Sequence, residues 1–189
     1  MHYVKRAFDI SLSALLLLSL APLLLVIAVM IKLSSTGPVL HWSKRVGRSN
    51  YLFLMPKFRS MRINTPQVAT HLLSDPAKHL TPIGSFLRRT SLDELPQLFS
   101  IIVGDLSFVG PRPALFNQDD LIALRSKQGI DVLIPGLTGW AQVNGRDELP
   151  IPVKVQFDRE YLQRGSFLFD LKIIAMTMTQ VLRREGVQH

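Results

Sequence analysis

Near the middle of the chain, the stretch TSLDELPQLF (residues 90–99) sets two carboxylates side by side, Asp93 and Glu94, with Pro96 close behind them. Ser91 and Glu94 have the spacing of a capping box, in which a serine and a glutamate three residues later satisfy the free N–H groups of a helix start. A helix begun at Ser91 would carry Pro96 in its interior, where the missing N–H removes a ladder bond and the ring crowds the preceding turn. A helix starting nearer Pro96 avoids that conflict. It leaves both acids on or just before an N-terminus, where the dipole favours ionised carboxylates. Capping and a reaction centre both remain open here. Three arginines stand in settings that suit phosphate: Arg88 just ahead of the acids, Arg112 between Pro111 and Pro113, and Arg146 after Asn144-Gly145. Flanking prolines limit backbone freedom, so the Arg112 guanidinium is a preset fork that loses little entropy on binding an oxyanion. Taken singly, each reads as a surface arginine. Together with the acidic pair they describe phosphate chemistry.

The elements that must carry these residues begin with ISLSALLLLSLAPLLLVIAVMI, residues 10–31, which is uncharged. Its length suffices to cross a hydrocarbon core of about 30 Å. It exceeds the usual apolar region of a signal peptide, and no small-residue cleavage site follows it. Both flanks are basic: Lys5 and Arg6 precede it, seven lysines and arginines from Lys32 to Arg62 follow it, and no acid falls between Asp9 and Asp75. A spanning helix would strand one basic flank outside. The positive-inside bias is better met if the segment bends at Ala21-Pro22 and leaves by the face it entered, as a re-entrant helical hairpin. Serine hydroxyls can serve backbone groups freed at such a break.

Beyond this segment, VLHWSKRV and YLFLMPKFRSM read as two strands around the turn GRSN. Residues 63–80 suggest a loop or short helix. TPIGSFLRR follows as a helix, with Thr81 and Pro82 in cap and first-turn positions. Residues 95–103 read as helix, GDLSFVGPRP as a rigid loop, residues 117–128 as helix, and PGLTGWAQVNGRD as too irregular for a core strand. Two helices close the chain. In the second, Leu168, Leu171, Ile174, Met178 and Leu182 recur at helical spacing, which suits a core or a membrane interface.

The 189 residues fit one catalytic domain, divided here as residues 1–36, the membrane helix, and residues 37–189, the catalytic domain. An excess of 22 Lys+Arg over 14 Asp+Glu gives a formal charge of +8 and predicts an anionic partner. With no cysteine, disulfides and thiolate metal sites are excluded; the five histidines show no close pair at zinc-ligand spacing, while a hard-cation site with oxygen ligands remains open. No Walker loop, dinucleotide fingerprint or H-E-x-x-H sequence occurs. A basic module without catalysis, binding a membrane surface, is the competing class. Nucleic acid is not an expected partner, because interleaved aromatic and basic stacking positions are lacking.

The stretches KRAFDI, KFRSM, LRRTSLDELPQLF, GDLSFVGPRP, PGLTGWAQVNGR and FDLKII occur in order along nearly the whole chain. Together they resemble the bacterial monotopic phosphoglycosyl transferases in their small, catalytic-core form. The resemblance implies an α+β, mostly helical monotopic membrane protein with an N-terminal re-entrant hairpin, a small β-hairpin and interfacial amphipathic helices. It also implies transfer of a sugar 1-phosphate from a UDP-sugar to undecaprenyl phosphate, with release of UMP, at the cytoplasmic face of the bacterial inner membrane. By resemblance Asp93 is the nucleophile, Glu94 stands beside it, and Mg²⁺ is held at this pair. Arg88 would lie near the polyprenyl phosphate, Arg112 on the donor phosphates and Arg146 in the donor region. Arg59 stands where some members carry lysine; a guanidinium keeps its proton, so a phosphate contact fits better there than proton transfer. Direct displacement, without a covalent intermediate, is the competing mechanism.

Overall fold

A computed structural model describes residues 2–66, 75–145 and 149–183. The apolar segment lies within one helix, α1 (His2–Ser34), which runs on through Pro22. Helical assignment is therefore continuous where the sequence reading places a break. Positions separated by helical repeats face inward along it. Phe8, Leu12, Leu16 and Leu17 pack on the main core with Leu98, Ile101, Phe108 and Ile173. Further along, Leu24, Ile27, Ala28 and Ile31 pack with Phe58 and Leu87. The helix is long and apolar enough to cross a membrane, and only 11% of its most apolar window is buried.

The predicted hairpin is present as β1 (Leu40–Val46) and β2 (Leu52–Phe58), antiparallel, with Leu40 opposite Phe58 and Val46 opposite Leu52. Alternation along β2 puts Phe53 and Met55 in the core, and the next position of that face is Lys57. In the 63–80 stretch the described part holds a 3₁₀ turn, Pro76–His79. Helix α2 (Gly84–Arg89) starts after Ile83, and no side chain caps it. Thr81, expected as its cap, instead donates its hydroxyl to Ser60 O at 3.2 Å. Helix α3 (Gln97–Val103) starts at Pro96, as the proline requires, and ends at Gly104, whose φ of 108° suits a residue without Cβ.

Two expected loops turn out to hold strands. β3 (Ser107–Val109) pairs in parallel with β4 (Gly136–Thr138). Strands this short show no readable alternation, and their pairing depends on close backbone approach: a Cβ on Gly136 or Gly139 would collide with the backbone of Gly110. The helices α4 (Asp119–Lys127), α5 (Trp140–Val143), α6 (Ile151–Arg164) and α7 (Phe167–Arg183) complete the described chain. On α7, Phe169 and Ile173 face the core, while Leu168 is 78% exposed and Leu171 and Met178 are also exposed. Of the apolar stripe read from the sequence, Ile174 packs on the core and the side chain of Leu182 lies outside the described ones.

Candidate active site

The chain reverses between α2 and α3 at Ser91, whose φ of 56° is left-handed and costs about 1 kcal/mol for a residue with a Cβ. Leu92–Glu94 then form a 3₁₀ turn with no side-chain cap. The capping box is not made. Glu94 turns instead to β2, where Lys57 Nζ lies 2.6 Å from its Oε1, and Arg112 Nη2 stands 3.9 Å from the same oxygen. Burial alone would raise the Glu94 carboxyl, but Lys57, Arg112 and Arg45 together hold it down at about 2. Asp93 behaves oppositely. It is 7% exposed, and burial pushes it up to about 6 against the pull of Lys57, with Glu94 adding to the rise and Arg88 opposing it. Desolvation thus outweighs the helix-start effect expected to keep this residue ionised.

Glu94, Lys57, Arg112, Arg45 and Gln97 line a cleft of about 220 Å³, its open mouth included, with Gly136 and Leu137 of β4 at one side. Asp93 sits beside this lining rather than in it. Of the expected site residues, Arg88 therefore faces Asp93 electrostatically, and Arg112 faces Glu94 across the cleft. Arg59 goes elsewhere: its buried guanidinium donates to Ser35 O at 3.0 Å, to Ser35 Oγ at 2.8 Å and to Thr36 O, which ties the end of α1 to the hairpin. It is not among the cleft-lining residues. Arg146 lies outside the described residues.

The loop carrying Arg112 is fixed at three successive carbonyls. Gly136 N donates to Pro111 O at 2.9 Å, Arg125 to Arg112 O at 2.8 Å, and Arg45 to Pro113 O at 3.1 Å. Arg125 is itself held by Asp158 of α6 through two bonds of 2.9 and 2.7 Å. Sequence reasoning missed Lys57, Arg45, Gln97 and Arg125 as site residues. Lys57 had a signal in the period-two pattern of β2, which aims it inward; Arg125, remote in sequence from the loop it grips, had none.

Among the described residues no group of three or more His, Asp or Glu side chains forms a metal cage. Two adjacent carboxylates, one of them already paired with a lysine, nevertheless fit Mg²⁺, which commonly takes one or two carboxylates and completes its shell with waters and substrate phosphate oxygens. Asp93 and Glu94 are the residues that would hold it.

The chain matches the family described as "Bacterial sugar transferase" over residues 1–184. It is 41% identical to the UDP-glucose:undecaprenyl-phosphate glucose-1-phosphate transferase of Escherichia coli over 93% of this chain and 39% of that protein. It is 36% identical to the undecaprenyl-phosphate galactose phosphotransferase of Salmonella typhimurium over 98% of this chain and 42% of the relative. The exopolysaccharide production protein ExoY of Sinorhizobium fredii is 36% identical over 96% of this chain and 87% of its own length. The chain thus spans about two fifths of the first two relatives.

Proposed function

The chain belongs to the bacterial sugar transferase family, and we propose that it transfers a sugar 1-phosphate from a UDP-sugar to undecaprenyl phosphate, releasing UMP. The observation that carries this reading is the cleft itself. A carboxylate held ionised by Lys57 and Arg112, and a second one raised to about 6, stand beside guanidiniums suited to a diphosphate. The names of the matched relatives supply the substrate class.

In the reading that follows from the family resemblance, the ionised Asp93 carboxylate attacks the phosphorus that bears the sugar. A carboxylate-oxygen-to-phosphorus bond forms, the bond to the bridging oxygen breaks, and that oxygen leaves with UMP. An oxygen of the lipid phosphate then attacks the same phosphorus and expels the Asp93 carboxylate. Arg112, fixed through its loop, neutralises the donor diphosphate, and Arg88 stands where it offsets charge at Asp93. Lys57 keeps Glu94 ionised and oriented. Asp93 and Glu94 would hold Mg²⁺, which would supply further neutralisation of the developing charge.

Direct displacement by the lipid phosphate is the second reading, favoured by the position of Asp93 beside the cleft lining rather than in it. One experiment separates the two. The protein is given UDP-glucose and Mg²⁺ without lipid acceptor. A stoichiometric burst of UMP, a mass gain of one phosphosugar on Asp93, and loss of both in Asp93→Asn support the covalent route. UMP release that strictly requires the lipid, with no adduct trapped, returns Asp93 to metal binding.

The membrane arrangement proposed is monotopic, with residues 1–36 re-entrant and residues 37–189 at the cytoplasmic face. Its support is that both halves of α1 pack on the same domain.

A further inference from the structure

Gln97 opens α3, separated from the acidic turn by Leu95 and Pro96, and lines the cleft with Glu94, Lys57 and Arg112. It is 3% exposed. Among the described residues its Nε2 meets no hydrogen-bond acceptor. Such a group is rare in a native core, because an amide donor taken from water and given nothing in return is destabilising. A core position with no other duty would be filled by an apolar side chain of the same size.

The neighbours define what could satisfy it. Arg45, Lys57 and Arg112 only donate, and the carboxylate of the cleft, Glu94, is already engaged by Lys57 at 2.6 Å. The lining is rich in donors and poor in acceptors, so a complementary ligand must be acceptor-rich. A phosphate ester is such a group. A further cation at this depth would add a desolvation cost to a site that already holds three, whereas a carboxamide adds a hydrogen bond without a charge.

We propose that Gln97 is a substrate-contacting residue whose carboxamide N–H donates to a non-bridging phosphate oxygen of the nucleoside diphosphate donor. The inference rests on the proposed donor class and deepens it, because it assigns a neutral contact to a site otherwise described by charges. Its contribution is to hold the phosphate group that must approach the acidic turn, four residues before it in sequence.

The test uses the full chain in detergent, with UDP as the probe, and two variants. Gln97→Met keeps the volume and removes the donor; Gln97→Glu keeps the shape and places an acceptor against the phosphate. UDP affinity, measured by titration calorimetry, should fall roughly tenfold in Gln97→Met and further in Gln97→Glu. The melting temperature of ligand-free Gln97→Met should equal or exceed that of the unsubstituted protein, because an unsatisfied donor has been removed. A lower melting temperature of Gln97→Met overturns the inference, since it would mean that the amide serves the fold. Unchanged UDP affinity in both variants also overturns it. If the unsubstituted protein itself fails to bind UDP, the donor assignment of the cleft is wrong, a result distinct from unchanged binding in the variants.

Discussion

Burial pushes both carboxylates of the acidic turn up, and they differ because Glu94 is the better paired. Asp93 sits at about 6 through burial, and Glu94 at about 2 through Lys57, Arg112 and Arg45 despite burial. If Asp93 must be ionised to react, UMP release should fall as pH drops through the Asp93 value, which lies at about 6 without metal and which bound Mg²⁺ would lower; pH profiles of UMP release at low and high Mg²⁺ measure this. The same shift bears on stability. A carboxyl whose folded value exceeds its unfolded value of 3.8 favours folding at low pH, and this contribution is lost as pH rises through about 6. Asp93→Asn stays neutral throughout. It should be inactive yet more stable than the unsubstituted protein at pH 8, by up to about 3 kcal/mol, with the difference vanishing near pH 4 in thermal melts. Arg112 allows a second test at this scale. Arg112→Lys keeps the charge and loses the planar fork, so kcat/KM should fall at least about tenfold, whereas near-normal turnover would make bidentate geometry irrelevant.

The elements decide whether these residues can act, and the loop of β3 to α4 shows how. Its three carbonyls are gripped from β4, from α4 and from β1, and the α4 contact runs through the buried Arg125–Asp158 pair, in which Asp158 is 1% exposed. Removing one partner alone would leave a buried charge and cost about 3–5 kcal/mol. The paired change Arg125→Met with Asp158→Leu avoids that penalty and deletes the grip on Arg112 O, together with the attraction between Asp158 and Lys154. It should leave the melting temperature within a few degrees and raise KM for the UDP-sugar several-fold, with a smaller effect on kcat; an equal loss in both would place Arg125 in the chemistry instead. Much at this scale was legible in the sequence. The hairpin showed in two alternating runs around GRSN, and the α3 start showed in Pro96, because strand alternation and proline geometry are local signals. β3 and β4 were missed because three-residue strands have no readable period, and their pairing depends on glycines far apart in sequence. The acidic pair and Arg112 were legible by type and spacing. Alternation along β2 aimed Lys57 inward, whereas Gln97 became a site residue only once α3 was packed against β2.

At the scale of the whole molecule, one domain holds both ends of α1. Near its start, Lys5 Nζ reaches Asp170 at 2.6 Å and Val109 O at 2.9 Å, while Arg6 donates to the Ile101 and Ile102 carbonyls at the end of α3. Just past its other end, Arg59 holds Ser35 and Thr36. A straight helix of this length would measure roughly 50 Å, and one that spanned a bilayer would part its ends across about 30 Å of hydrocarbon. The proposed monotopic arrangement lets a single domain on one side grip both ends. The outward faces agree with shallow immersion: Leu18, Leu25 and Leu33 on α1, Phe99 and Val103 on α3, and Leu168 and Met178 on α7 are all exposed apolar residues. Single cysteines placed at His2 and at Ser35 of this cysteine-free chain should therefore be labelled from the same side of sealed inner-membrane vesicles, by a reagent that does not cross lipid. Labelling from opposite sides would establish a spanning helix and would require the Lys5 and Arg59 contacts to be broken in the membrane. Pro22→Leu sharpens the test, because it restores a ladder bond at the midpoint and favours a straight helix. The domain contacts oppose straightening, so Pro22→Leu should lower UMP-forming activity or the melting temperature before it moves either end. If it shifts one label to the far side with full activity, the grip on both ends does not determine the path of the helix.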